Sequence, residues 1–520
     1  MTAAHRSLPR LRSASRARIL GTLAGALVLG ATAVAGYAPF HAFFLPPLAL
    51  ALLFALWGVL PRPGAAAAAG FAFGLGLFGV GVSWVWVSLH VFGGMPAPLA
   101  ALATLLFCAV LALFPALVGW LQAKVSVPLL LRMTLLIPGL WVTAEWLRGW
   151  LFTGFPWLAV GYSQIPASPL AGYAPAVGIY GVGLAVAFSA GLAAALLLAA
   201  TRRLRPSLGL ALGVAAGGLL WLAGGTLKGL TFTWPVTEPV KVSLIQGNVP
   251  QELKWREDRV EATLRQYLAL TRKASGTLVI LPETALPLFY HQVPQAYWNE
   301  LTASVVSRGG DLLVGVPEMS DPEGGVYYNS VVSRGSSPVQ AYRKSHLVPF
   351  GEFIPPGFGW AMKALHIPLT DFARGDPWQQ PLTVAGQRVA VNICYEDAFG
   401  EEIIRQLPEA TLLANVSNDA WFGDSFALWQ HLQMSQTRAL ETGRYMLRAT
   451  NTGVTAVIDP RGQVLAQAPV HEEAVVEAEV RGYGGETPYV RWGNAPALLL
   501  ALAACAAALL ARPRSGQAPV

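Results

Sequence analysis

The chain has 520 residues, 54% of them hydrophobic and only 12% charged, with a mean hydropathy of +0.47. Soluble domains carry about 25% charged residues, so a wholly soluble protein is excluded and much of the chain must face lipid. The net charge of +7 does not point to nucleic acid: Arg6, Arg10, Arg12, Arg16 and Arg18 flank a hydrophobic segment, which reads as a topology signal.

Charges are sparse before Leu230, frequent from Glu238 to Arg491, and nearly absent from Trp492 to Leu510. The pattern predicts a membrane domain over 1–232 with seven spans, a soluble domain over 233–487, and a closing span with a cytoplasmic tail over 488–520. Apolar runs near 18–36, 42–60, 66–90, 97–123, 128–147, 174–200, 207–226 and 494–511 are each expected to cross about 30 Å of hydrocarbon. The first could pass for a signal peptide, but the runs that follow favour a retained helix. With the N-terminal arginines cytoplasmic, the inside loops carry Arg62, Lys124 with Arg132, and Arg202, Arg203 and Arg205. The loops around 36–42 and 90–96 hold no lysine or arginine. Seven crossings then leave the soluble domain outside, and the eighth returns Arg512 and Arg514 to the cytoplasm. Within the spans, Glu145 and Arg148 share one helical face and are expected to pair near an interface. Trp84, Trp86, Trp141, Trp146, Trp150 and Trp157 read as an aromatic belt.

The soluble region alternates strand and helix patterns. Strands are expected at 240–247, 277–281, 312–316, 327–333, 411–416, 452–458 and 463–468, with helices at 257–274, 294–308 and 426–444. This is an α/β domain with mixed sheets. The apolar insertion 353–372 interrupts it, and Phe358, Trp360 and Leu365 are expected to form a lid dipping into the bilayer surface.

Three polar side chains end apolar stretches. Val389, Val391 and Ile393 alternate as in a half-buried strand and lead into Cys394, followed at 398–407 by a helix-like run. Glu283 follows Val279-Ile280-Leu281-Pro282, and Lys344 lies in Tyr342-Arg343-Lys344-Ser345-His346. A carboxylate, an ammonium and a thiol suit acyl transfer: the carboxylate takes the thiol proton, the sulfur attacks a carbonyl, and the ammonium holds the oxyanion. Singly, each residue has a plainer reading as a helix cap, a surface charge or a core cysteine. The other cysteines, Cys108 and Cys505, lie inside apolar runs, so no disulfide is expected in the soluble domain. His291, His346, His366, His431 and His471 are scattered, and neither a metal site nor a cofactor is expected.

At these residues the chain resembles the nitrilase, or carbon–nitrogen hydrolase, superfamily, and within it the membrane branch of apolipoprotein N-acyltransferases. The matching segments are Gln246-Gly247-Asn248, Pro282 to Pro287, His346 to Glu352, Ile393-Cys394-Tyr395-Glu396 and Ser417 to Phe422. The family often carries tryptophan where this chain has Leu281. The resemblance implies a polytopic helical domain of about eight spans joined to an α-β-β-α sandwich. It implies Glu283 as general base, Lys344 as oxyanion stabiliser and Cys394 as nucleophile, with Trp255, Asn329, Glu352, Tyr395, Glu396 and Trp421 in support. Of the neighbours Arg343 and Lys344, the family pattern selects the lysine as the cation facing the thiol. The implied reaction moves a fatty acyl group from a membrane phospholipid, through a Cys394 thioester, to the N-terminal amine of a diacylated apolipoprotein. The implied location is the bacterial inner membrane, with the soluble domain periplasmic. The same three residues would also serve a membrane-tethered amidase or nitrilase, and a non-catalytic transporter or receptor is the remaining alternative.

Overall fold

The computed structural model describes residues 8–60, 62–321, 325–355 and 372–511, with side chains from residue 17 onward at the N-terminus. The expected lid residues Phe358, Trp360 and Leu365 lie outside the described residues.

Among the described residues, six helices are long and apolar enough to cross a membrane: Ala17–Gly36, Pro63–Gly81, Ala97–Lys124, Leu129–Arg148, Pro169–Ala200 and Leu208–Leu227. The chain is a multi-pass membrane protein. Two of the eight expected spans are shorter apolar helices, Leu45–Val59 and Ala495–Leu510. Prolines explain the first: the helix opens with Pro in its first turn and the next helix also starts on Pro63, where the missing N–H costs nothing. Fifteen residues rise about 22 Å, short of a full hydrocarbon layer.

Two expectations for the membrane region fail, partly through a loop that folds back against the soluble domain and partly through packing between membrane helices. Glu145 and Arg148 share a helical face but bind backbone instead of each other. Glu145 Oε1 accepts the Val160 N–H at 2.9 Å, and Arg148 Nη1 donates to the carbonyls of Phe155 and Trp157, both at 2.6 Å. Nor are all the tryptophans a belt. Trp157 is fully buried, as is Trp141, which packs among Phe54, Trp57 and Phe73. Trp157 stacks on Phe155 and donates from Nε1 to Gln430 Oε1 of the soluble domain at 2.6 Å.

The helix Ala174–Ala200 is broken at Gly178, where φ is +66°. A Cβ there would lie 2.4 Å from the Tyr489 ring, so close approach as well as the left-handed backbone demands glycine. The break frees the Ile179 N–H, which donates to Glu441 Oε1 of the soluble domain at 2.8 Å. A carboxylate thus caps the N-terminus of a half-helix across the domain junction.

Among the described residues, the soluble domain holds two six-stranded sheets. The first runs Ala474–Val480, Val240–Gln246, Leu278–Ile280, Asp311–Asp321, Val326–Gly335, Ala341–Arg343. The second runs Val464–Gln467, Ala456–Ile458, Met446–Thr450, Leu412–Ser417, Gln387–Ile393, Leu382–Val384. The alternation in each strand decides the layering. Val242, Leu244, Leu278 and Ile280 face Val389, Val391, Ile393 and Leu412 between the sheets. Ile245, Val279 and Leu312 turn outward onto helices Glu257–Lys273 and Gln295–Val306. On the other flank, Ala390, Leu413 and Met446 meet Leu428 and Leu432 of helix Phe426–Thr442. The result is the α-β-β-α sandwich.

Strand Met446–Thr450 was not expected, because the helix pattern ran to 444 and the next strand began at 452. The helix stops instead at Gly443, whose φ of +63° caps it in the left-handed region. Met-Leu-Arg-Ala-Thr shows no alternation because every residue in it is buried. Its arginine hides the strand character.

Candidate active site

Cys394 follows the last residue of strand Gln387–Ile393 and opens a 3-10 turn, Cys394–Ala398, with φ of +53°. The expected helix over 398–407 is only the short Gly400–Ile403 between 3-10 turns. A non-glycine residue in the left-handed region is strained, and such strain persists only where the surroundings hold it. Here they do. The Cys394 carbonyl oxygen takes Asn415 Nδ2 at 3.1 Å and lies 3.2 Å from His431 Nε2.

Glu283 sits just beyond strand Leu278–Ile280 in the facing sheet and is buried. Its Oε1 accepts Asn329 Nδ2 at 2.7 Å, and its Oε2 accepts the Asn418 N–H at 2.7 Å. Lys344 follows strand Ala341–Arg343, with its N–H on the Asn329 carbonyl. Its ammonium, 1% exposed, lies 2.8 Å from Glu352 and 3.7 Å from Glu283 Oε1. Asn329 also donates to Glu352 at 3.0 Å, so it ties the two carboxylates together. Arg343 points the other way, onto Glu318 at 3.0 Å and over the Tyr328 ring, as neighbours in an extended segment must.

The surroundings of the sulfur disfavour its ionised form. Burial pushes the Cys394 thiol well above its ordinary value, the Glu283 charge pushes it further, and Lys344 pulls it back only in part. A thiol in such a place needs a base to take its proton before the sulfur can attack, and Glu283 is the carboxylate whose charge acts on it most.

Glu396 joins the lysine segment to the cysteine turn. Its carboxylate accepts from the N–H groups of Ile393, Ser345 and His346, from the Ser345 hydroxyl and from the Tyr342 hydroxyl, at 2.7–3.0 Å. Burial raises its carboxyl above the usual range even against those donors. Glu396→Gln would turn an NH2 group toward donors that need an acceptor. We expect about 3 kcal/mol of lost stability or more, read as a lower thermal midpoint in detergent; an unchanged midpoint would show that the carboxylate is not the clasp.

The remaining expected residues spread around the rim. Tyr395 is buried and donates its hydroxyl to the Gly154 carbonyl of the membrane loop at 2.9 Å, so it anchors the cysteine turn to that loop. Trp421 is half exposed beside Phe92, its carbonyl accepting the Ser88 hydroxyl at 2.8 Å. Trp255 is exposed.

Sequence reasoning missed a second layer. Behind Cys394, His431 lies between Asp397 and Asp419, 2.9 Å from each, and Arg448 reaches Asp397 at 3.2 Å and Asp419 at 2.7 Å. Ser435 donates to Asp397 and Ser417 to Asp419. Two carboxylates against one guanidinium and one imidazolium leave the cluster neutral. Burial and Arg448 push His431 down, but the two aspartates outweigh them and hold it at about 9. Nδ1 faces Asp419 Oδ1 and Nε2 faces Asp397 Oδ1, while Arg448 Nη2 also lies 2.8 Å from Nδ1. The available signal was helix Phe426–Thr442 itself, polar on nearly every face yet almost wholly buried. Lys254 was missed as well. Its ammonium is 3% exposed and donates to the Glu283 carbonyl oxygen at 3.1 Å.

Residues 29–192 match the apolipoprotein N-acyltransferase N-terminal domain family, and residues 241–489 match the carbon-nitrogen hydrolase family. A curated apolipoprotein N-acyltransferase of Nitrosomonas europaea is 53% identical over 91% of this chain and 94% of its own length. Another, of Chromobacterium violaceum, is 45% identical over 95% of this chain and 93% of its own. Among solved structures, a carbon-nitrogen hydrolase from Helicobacter pylori G27 is 17% identical with a TM-score of 0.33, covering 53% of this chain and 95% of that one.

Proposed function

The chain belongs to the apolipoprotein N-acyltransferase family, and from that premise we propose that Cys394 carries a fatty acyl group from a membrane phospholipid to the N-terminal amine of a diacylated apolipoprotein. The enzyme is an acyltransferase. The observation that carries the reading is that a buried carboxylate and a buried ammonium, 3.7 Å apart, both act on a thiol held on a strained turn against the membrane domain.

In the first half-reaction Cys394 Sγ attacks the ester carbonyl while Glu283 takes the thiol proton, and Lys344 faces the oxyanion. The tetrahedral adduct collapses, the C–O bond breaks, and Glu283 returns its proton to the departing lysophospholipid alkoxide. In the second, the lipoprotein amine attacks the thioester, Glu283 accepts the amine proton, the C–S bond breaks to give the amide, and Glu283 returns that proton to the departing sulfur to restore the thiol. Asn329 and the Asn418 N–H hold the Glu283 carboxylate fixed for both steps. The architecture suits substrates anchored in lipid. Tyr395, beside the nucleophile, is tied to Gly154, and Trp421 to Ser88, so the reacting sulfur lies next to the ends of membrane helices.

The domain division at 232 and 487 accompanies this reading, as does a periplasmic site in the inner membrane. The stretches that touch the soluble domain, 34–44, 88–96 and 149–168, contain no lysine or arginine, whereas Arg62, Lys124, Arg202, Arg203 and Arg205 lie in the others. Basic loops stay cytoplasmic, which leaves the soluble domain on the opposite side.

Mass spectrometry of the protein incubated with phospholipid alone tests the reading. The expected result is one fatty acyl mass on the peptide bearing Cys394, discharged by a diacylated lipopeptide with a free amine. An unmodified Cys394, or an acyl mass the lipopeptide leaves in place, sinks it.

A further inference from the structure

Lys344, the ammonium nearest the chemistry, is already neutralised: Glu352 sits at 2.8 Å and Glu283 at 3.7 Å. Counting Glu283, Glu352 and Lys344 alone, the buried site is one charge negative before anything reacts. Further negative charge on sulfur or on a tetrahedral oxygen would then form in an unfavourable field. The missing positive charge is nearby. Lys254 stands on the turn after strand Val240–Gln246, its ammonium on the Glu283 carbonyl oxygen at 3.1 Å. The turn is braced by Asn418 Nδ2 donating to Gln251 Oε1 at 2.7 Å, and the Asn418 N–H in turn holds the Glu283 carboxylate. Among the described residues, no carboxylate oxygen forms an ion pair with Lys254. Burying an ammonium without a paired carboxylate is costly, and such a cost is typical of a functional group rather than a scaffold.

We propose that Lys254 is a positioning residue of the acyl-transfer reaction, its unpaired ammonium supplying the positive charge that offsets the Glu283 carboxylate and the charge developing at Cys394. The inference rests on the reading of Cys394 as the acyl-carrying nucleophile. Burial lowers the Lys254 ammonium to about 8, against the pull of the Glu283 and Cys394 charges, the titratable groups that act on it directly. Lys344 and Glu352 stand behind Glu283 and stay paired. The charge is therefore present at neutral pH and fades as pH climbs through about 8. Because the folded value lies below the 10.5 of an exposed lysine, the protonated side chain costs stability at neutral pH rather than adding it.

The experiment is single-turnover acylation of Cys394 by phospholipid, followed across pH 6–10 for the parent enzyme, Lys254→Gln and Lys254→Arg, with thermal unfolding alongside. Glutamine can keep the hydrogen bond to the Glu283 carbonyl but carries no charge. We expect K254Q to unfold no earlier than the parent, to acylate about tenfold or more slowly at pH 7, and to lose the fall in rate above about pH 8. K254R keeps its charge, so its alkaline fall should move to higher pH. An acylation profile of K254Q that overlays the parent, or one lowered equally at every pH, overturns the inference and leaves a hydrogen-bonding role. Should K254Q fail to fold, an alkaline limb in K254R identical to the parent's overturns it in the same way. Absence of any acyl mass in the parent enzyme would instead overturn the reading of Cys394.

Discussion

Replacing Cys394 with alanine should abolish acyl transfer while leaving the fold intact. The side chain fills little space, and what holds the turn is backbone: the Cys394 carbonyl on Asn415 and His431, and the Ile393 N–H on Glu396. Removing a covalent nucleophile leaves no path to a thioester, and knockouts of that kind cost on the order of 10^6 in rate, about 8 kcal/mol of barrier. Transfer of a labelled acyl group to a diacylated lipopeptide, with circular dichroism as the fold control, checks it. Glu283→Gln should cost less, about 10^2–10^4, because the amide still accepts from Asn329 while it can no longer take the thiol proton. A C394A protein with more than a trace of transfer would mean that another residue carries the acyl group.

The second large effect falls on stability. Arg448→Met should destabilise the sandwich by about 3–5 kcal/mol, since it strands Asp397 and Asp419 in a fully buried site with only His431 to offset them. For a domain of this size that is a drop on the order of 10 °C in thermal midpoint. The cluster also carries a pH signature. His431 has a folded value of about 9 against 6.5 for an exposed histidine. Its contribution is complete below about pH 6.5 and fades as pH rises towards 9. Asp419 is held far below the usual carboxylate range: burial alone would raise it, but Arg448 and His431 outweigh that. Its contribution is present above the ordinary carboxylate range and is lost only in strong acid. The parent protein should therefore soften on the alkaline side of neutrality, and a thermal midpoint flat from pH 6 to 10 would contradict the charge assignment. If R448M stays within about 1 kcal/mol of the parent, the cluster is not what supports the turn.

The junction between the domains supplies the remaining stability argument. Trp157 on Gln430, Tyr395 on Gly154 and Ile179 on Glu441 each close a polar group that burial would otherwise leave unmet. The strained turn at Cys394 is thereby clamped from the membrane side as well as from within the sandwich.

The sequence by itself determined the features that repeat locally. Apolar runs marked the membrane helices, although Leu45–Val59 and Ala495–Leu510 are shorter than a full span. Alternation at Val389, Val391 and Ile393 placed Cys394 at a strand end, and the stretches ending at Glu283 and Lys344 were legible in the same way; alternation also required Arg343 and Lys344 to point oppositely, but only the family pattern said which turns inward. Only the tertiary structure decided which charges meet. Nothing local in the chain joins His431 to Asp397, Arg448 to Asp419, Lys254 to Glu283 or Glu441 to the break at Gly178. Strand Met446–Thr450 was illegible for the same reason, because its buried arginine is tolerable only beside carboxylates brought from 29 and 51 residues away. Burial of an apolar face follows from spacing along one element. Compensation of a buried charge depends on partners that only the folded chain brings together.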